Sequence, residues 1–162
     1  MTAIQTTDLV KNYGSIEALK GISFAVNEGE IFGLIGPNGA GKTTTLRVIS
    51  TLLEITSGTV RVFGYDIQEE PEEVRKQISY LPEEAGAYKN LSGKEYLKFM
   101  AQFYSDGRNI QEMIQIGMSI SRLGDRITDK VSTYSKGMTR KLLVAMALMM
   151  EPPLAILDEP TS

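Results

Sequence analysis

The sequence predicts an α/β fold, and three observations carry that expectation. Two short runs, Ile31-Phe32-Gly33-Leu34-Ile35 and Leu154-Ala155-Ile156-Leu157, are almost continuously apolar, as strands covered on both faces are and half-exposed strands are not. A glycine-rich turn and then a helical pattern follow the first run directly. The long middle stretch from Tyr88 to Val131 carries helix signals and nothing that reads as a core strand.

Taken in order, Ile4 to Val10 and Ala18 to Val26 alternate partially, and the second ends in the turn Asn27-Glu28-Gly29-Glu30; together they predict an antiparallel pair. Ile31 to Ile35 is the predicted central strand. Lys42 to Leu53 places Leu46, Ile49 and Leu53 on one helical face. After the turn Ser57-Gly58, the β-branched run Thr59 to Phe63 predicts a strand returning to the first pair. Pro71-Glu72-Glu73 opens a helix to about Gln77, its acidic residues near the positive end, and Ile78 to Leu81 follows as a strand. Ser92-Gly93-Lys94-Glu95 is a capping-box pattern starting a helix to about Tyr104. A further helical pattern runs from Ile110 to Leu123. About 88–134 is the predicted helical subdomain, inserted in the α/β core. Ser135 to Met150 is the clearest helix, with Met138, Leu142, Ala145, Met146 and Met149 on one stripe and Pro152-Pro153 closing it. That methionine stripe reads as core packing before it reads as a partner surface.

Composition narrows the chemistry. The 162 residues suit one domain, and 42% apolar with 23% charged residues is ordinary globular usage. No Cys and no His occur, which excludes a disulfide scaffold, a Cys/His zinc site, a thiol nucleophile and a Ser-His-Asp triad. A net charge of -3 gives no general field for nucleic acid or anionic lipid. Any anion must therefore be held by local geometry. Neither a bilayer-spanning run nor a signal peptide is legible, so the expected location is the cytoplasm.

Such a geometry stands at Gly36-Pro37-Asn38-Gly39-Ala40-Gly41-Lys42-Thr43, which fits the phosphate-binding pattern G-x-x-x-x-G-K-[ST]. Glycines at 36, 39 and 41 let backbone N–H groups turn inward around phosphate oxygens, where side chains would block the approach. The helix N-terminus adds its polarity. Lys42 supplies a charge to the terminal phosphates, Thr43 a hydroxyl for Mg²⁺, and Thr44 a further hydroxyl and N–H. The position after a buried strand and before a helix separates this from a mere glycine-rich turn.

A second polar group closes the second apolar strand. Asp158 is the expected Mg²⁺ residue, through water, and Glu159 the carboxylate that polarises an attacking water, if parallel strand ends share one edge with the loop after Ile35. Alone, Asp158-Glu159-Pro160 would read as a polar strand end. Likewise Tyr134-Ser135-Lys136-Gly137-Met138 alone would read as ordinary helix capping by Ser135.

In this order the three motifs resemble the ATP-binding cassette ATPases, the motor subunits of ABC transporters. Gly36 to Thr44 is similar to their Walker A loop, Tyr134 to Met138 to their signature, and Leu154 to Glu159 to their Walker B strand. The resemblance implies a P-loop NTPase (RecA-like) core with an N-terminal antiparallel β subdomain and an inserted helical subdomain. It implies ATP and Mg²⁺ as ligands, with Tyr13 stacking on adenine and Gly36, Asn38, Gly39, Ala40, Gly41, Lys42, Thr43 and Thr44 holding the phosphates. It makes Glu159 and Lys42 catalytic and assigns the metal to Thr43, Asp158 and Glu83. It further implies a head-to-tail dimer in which Ser135 and Gly137 reach the partner's nucleotide. A transmembrane permease subunit would anchor the pair at the cytoplasmic face of the membrane, with the boundary from Glu83 to Leu91 as the docking surface; no nucleic-acid partner is implied.

Departures from the family pattern qualify this. Lys136 and Met138 replace the first Gly and the Gln of L-S-G-G-Q, a form that looks like ABC-2-type exporters. Glu83, in Tyr80-Leu81-Pro82-Glu83, stands where the family carries a Gln toward Mg²⁺; a carboxylate can still accept a hydrogen bond from a metal-bound water, and the alternative reading is an exposed loop carboxylate. The family also continues beyond the Walker B region into a further strand and a switch His, so the 162 residues are expected to be an incomplete nucleotide-binding domain. Chromosome-maintenance ATPases are disfavoured, since no sustained heptads separate Lys42 from Ser135. A cassette acting without a membrane subunit, translation-associated or regulatory, is the alternative, and Glu159 argues against a module that only holds ATP.

Overall fold

The computed structural model describes residues 1–105 and 107–160 in two units, Met1–Ile78 and Ser79–Ser162. Asp106, Thr161 and Ser162 lie outside the described residues, and with them the chain's last position.

The first unit is built on a long hairpin. β1 (Thr2–Tyr13) and β2 (Ile16–Asn27) pair antiparallel from Thr2↔Asn27 to Tyr13↔Ile16, so Gly14-Ser15 is a two-residue turn. β3 (Ser57–Val62) returns antiparallel to β1, as its β-branched run predicts, and β4 (Tyr65–Asp66) adds a short edge. The sheet order is β2-β1-β3-β4. Ala3, Ile4, Leu9, Leu19, Val26, Val60 and Val62 are buried, together with Val48 and Ile49 of α1 (Lys42–Ile49) and Val74 of α2 (Pro71–Gln77). Helix α1 stops at Ile49, one turn short of the predicted Leu53, where Ser50 closes its last turn by bonding Leu46 O.

One strand is corrected. Ile31 to Ile35 forms no strand and belongs to no ladder among the described residues. Ile31 is 104% and Ile35 95% exposed, the reverse of a centre covered on both faces. An apolar run becomes a buried strand only where backbone partners flank it and other elements cover it. Here its anchor is Phe32, which stacks on Phe24 of β2 with ring centroids 5.2 Å apart.

In the second unit, β5 (Ile78–Leu81) pairs with β6 (Leu154–Leu157), and Asp158 N–H donates to Leu81 O at 2.9 Å, which sets the two C-terminal ends side by side. α3 (Gly93–Tyr104), α4 (Ile110–Ser121) and α5 (Lys136–Leu148) supply the rest, with two short 3₁₀ turns, Gly124–Thr128 and Val131–Thr133, between α4 and α5. The capping box is complete: Glu95 N–H donates to Ser92 Oγ at 3.2 Å, while Ser92 N–H donates to the Glu95 carboxylate at 2.7 Å. Leu81, Tyr96, Leu97, Met113, Ile114, Leu142, Leu143 and Met149 form the core, with Met138 and Met146 partly buried against it. The methionine stripe is therefore packing.

Candidate functional site

The phosphate-loop candidate is shaped by the residue before its helix. Gly41 caps α1 in the left-handed region, φ 86° and ψ 8°, with no side-chain cap. A Cβ at Gly41 would lie 2.5 Å from Leu19 Cδ2 and 2.8 Å from Ala18 O, so β2 presses on a position that only glycine fills. The first intrahelical bond is Thr45 N–H to Gly41 O at 2.8 Å, and the Thr45 hydroxyl donates to the same carbonyl at 2.9 Å. The amides of Lys42, Thr43 and Thr44 thus precede the helical ladder. No acidic residue occupies that first turn, so the positive end of the helix dipole is uncompensated from within the helix.

Lys42 curls back across the loop, its Nζ donating to Gly36 O at 2.7 Å and Pro37 O at 3.1 Å. The loop is tied by Ala40 N–H to Pro37 O at 3.2 Å, and Asn38, Gly39 and Ala40 stand exposed at its tip. Thr43 and Thr44 are half-buried. Tyr13, at the end of β1, is 46% exposed, with the Lys11 ammonium 5.2 Å from its ring centroid. Amides ahead of the helical ladder and a cation held only by local carbonyls are groups that can meet a polyphosphate, and a half-exposed aromatic ring is one that can meet a flat base.

The other predicted residues lie in the second unit. Because Ile31–Ile35 is no strand, the shared edge expected for Asp158 is realised against Leu81. Asp158 is 3% exposed and its Oδ2 has no hydrogen-bond partner among the described residues. Leaving a buried carboxylate oxygen unsatisfied is costly, and a cation would relieve that cost. Glu159 follows on the surface with φ 48°, a left-handed conformation that turns the chain sharply at the strand end. Glu83 is exposed.

Ser135 caps α5, its Oγ accepting from Met138 N–H at 3.2 Å. The hydroxyl therefore keeps its own proton to donate. Ser135 and Gly137 are both exposed, and a Cβ at Gly137 would meet nothing within 4 Å. The preceding residue is fixed: Tyr134 OH donates to Arg126 O at 2.7 Å, and its pKa is raised above the ordinary phenol value, chiefly by burial.

One residue at this edge escapes sequence reasoning. Arg140 is 6% exposed, and its Nη1 donates to Pro82 O at 2.9 Å and Glu83 O at 3.4 Å while Nη2 donates to Asp158 O. The sole hint was phase: Arg140 lies three and seven residues before the buried Leu143 and Ala147.

Comparison with known proteins identifies the family. The ABC transporter family model matches residues 19–162. The daunorubicin/doxorubicin resistance ATP-binding protein DrrA of Streptomyces peucetius is 40% identical over 164 residues, covering 99% of this chain and 49% of that protein. The linearmycin resistance ATP-binding protein LnrL of Bacillus subtilis is 39% identical, covering 98% and 51%. The chain thus spans about half the length of the curated relatives it matches. A solved ATP-binding subunit of an ABC transporter superposes with a TM-score of 0.80 at 35% identity, over 98% of this chain and 66% of that one. With a family match of this extent and relatives about 40% identical along nearly its whole length, the chain belongs to the ABC transporter family.

Proposed function

We propose that the intact protein is the ATP-binding and ATP-hydrolysing subunit of an ABC transporter, coupling ATP-driven dimer closure to membrane transport, with export as the direction. The observation that carries this reading is the loop of Gly36 to Thr44, whose amides lie ahead of α1 while Lys42 rests on carbonyls it can exchange for phosphate oxygens. Relatives named for drug resistance favour export over a cassette that works without a membrane subunit.

In this reading residues 1–162 belong to one nucleotide-binding domain whose helical subdomain is about 88–134. Tyr13 stacks on adenine; Gly36, Asn38, Gly39, Ala40 and Gly41 surround the phosphates through the backbone, and Thr44 adds a hydroxyl. Lys42 neutralises charge on the terminal phosphates as the β–γ bond lengthens. Thr43, Asp158 and Glu83 are the residues that would hold Mg²⁺, and the unpartnered Asp158 Oδ2 fits that duty. When bound, Mg²⁺ offsets negative charge on the phosphate oxygens. Glu159 accepts a hydrogen bond from the water that attacks the γ-phosphorus as the bridging oxygen leaves on ADP.

Ser135 and Gly137 serve the nucleotide of a second copy of the chain, the one by its hydroxyl proton and the other by its N–H; their exposure suits that role. Among the described residues no helix is long and apolar enough to cross a membrane. The reading gives the membrane span to a permease subunit. Docking against Glu83 to Leu91 is favoured by Tyr88, 58% exposed and set edge-on to Phe99 at 5.6 Å, an aromatic pair of the type common in interfaces.

The test uses the full-length protein. Glu159→Gln should leave Mg-ATP affinity within about threefold in calorimetry while turnover falls on the order of a hundredfold or more. Absence of Mg-ATP binding to the unsubstituted protein would remove the proposal.

A further inference from the structure

A guanidinium buried without a carboxylate is expensive, and a chain keeps one where its hydrogen bonds do something an apolar side chain cannot. Among the described residues the salt bridges are Lys76–Glu73 and Arg126–Asp129, and Arg140 forms neither of them. Its acceptors are three main-chain carbonyls from two segments: Pro82 and Glu83, 58 and 57 positions before it, and Asp158, 18 positions after it. The planar fork makes this possible, because Nη1 and Nη2 point at fixed divergence and hold both segments at one separation. A lysine ammonium, with one atom to offer, cannot reproduce that spacing.

Arg140 also lies in the second turn of the helix that Ser135 caps. Ser135 and Gly137 face outward at the start of α5, while the same helix holds the carbonyls of Glu83 and Asp158 through one side chain. We propose that Arg140 is a positioning residue that ties the signature-like start of α5 to the Glu83 loop and to the Asp158 strand end, so that docking of the partner's nucleotide at Ser135 and Gly137 is felt at this chain's own Asp158. This rests on the ATPase reading for its consequence and on the three carbonyl bonds for its existence. Arg140 touches neither nucleotide; it acts by fixing the backbone that carries the residues which do.

The experiment compares Arg140→Lys and Arg140→Met with the unsubstituted full-length protein by amide hydrogen exchange and by steady-state kinetics. In both variants the amides of Glu83, Glu84, Asp158 and Glu159 should exchange about tenfold faster or more, while those of α1 and α4 keep their rates. The turnover number should fall about tenfold or more with KM for Mg-ATP changed less than about threefold. Unchanged exchange at those four amides in Arg140→Met, or acceleration spread evenly over α3, α4 and α5, would overturn the tether. Wild-type turnover in Arg140→Met would overturn its positioning role. Should Arg140→Met not fold, Arg140→Lys keeps the charge and carries the same readouts. If the unsubstituted protein binds no Mg-ATP while exchange responds as stated, the ATPase reading falls and the tether stands.

Discussion

Lys42 and Arg140 are both cations resting on main-chain carbonyls, yet they are opposite devices. Lys42 holds Gly36 O and Pro37 O from a half-exposed position on a loop whose tip is open. Its two bonds are within five and six residues of its own position, and water or a phosphate oxygen can replace either acceptor at small net cost. Arg140 is buried, bonds carbonyls far away in sequence, and has no solvent to exchange with. The first is a local, half-exposed contact that can exchange its acceptors; the second is part of the frame. A charge on a carbonyl is therefore informative only together with its burial and the sequence distance it spans.

The largest expected effect tests the frame of the Lys42 loop. Gly41→Ala places a methyl group 2.5 Å from Leu19 Cδ2 at a φ of 86°. It should destabilise the chain by about 2–4 kcal/mol in denaturant titration, the combined cost of left-handed strain and overpacking. A loss below that of an exposed Gly→Ala exchange would mean the Ala18–Leu19 contact is not held in solution.

Removing the exchangeable cation should do the reverse. Lys42→Ala is expected to weaken Mg-ATP binding by about 1.5–3 kcal/mol, roughly 10- to 150-fold. It should leave the unfolding midpoint nearly unchanged, since only local carbonyls lose a donor. Equal damage to stability and affinity would erase the distinction between Lys42 and Arg140.

Smaller still is Ser92→Ala at the capping box, expected to cost about 1 kcal/mol and to fray the start of α3 in hydrogen exchange. The pKa of Glu95 is held below the ordinary carboxylate value, first by the Ser92 backbone N–H and then by the Ser92 side chain. Its contribution is thus present above the unfolded pKa and lost as pH falls through the lower folded one. Acid titration of the unsubstituted protein should show this loss, and Glu95→Gln should abolish the pH dependence at this cap.

The least effect at ordinary pH concerns Tyr96, whose pKa burial pushes up to about 12. A raised folded pKa means that the stability it contributes is complete below about 10 and lost as pH rises through about 12. Tyr96→Phe should flatten the alkaline arm of the stability profile in that window. An unaltered alkaline arm would show that the phenol is hydrated in solution.

Which parts were legible in the sequence follows the range of the interactions. The hairpin of β1 and β2, the capping box at Ser92 and Glu95, and the cap of α5 at Ser135 are local, and residue order alone encodes them. Glycine spacing announced the loop at Gly36 to Thr44, because the demand for a left-handed residue at Gly41 is written in residue type. The contact that enforces it, from Leu19 and Ala18 on β2, was not, since that depends on how the hairpin lies over the helix start. Ile31 to Ile35 was misread for a related reason: apolar periodicity reports a preference for burial, not whether backbone partners and a cover are supplied. Arg140 was invisible because a charge on a helix ordinarily marks a solvated face, and its three acceptors carry no side-chain signature at all.

The bare segment ahead of the phosphate loop has a practical side. Ile31 and Ile35 offer two aliphatic side chains to water on either side of the anchored Phe32. Aliphatic side chains left in water keep the full cost of their hydration until something covers them. A substitution of either isoleucine by a polar residue should therefore cost the fold little, because neither side chain gives up buried area.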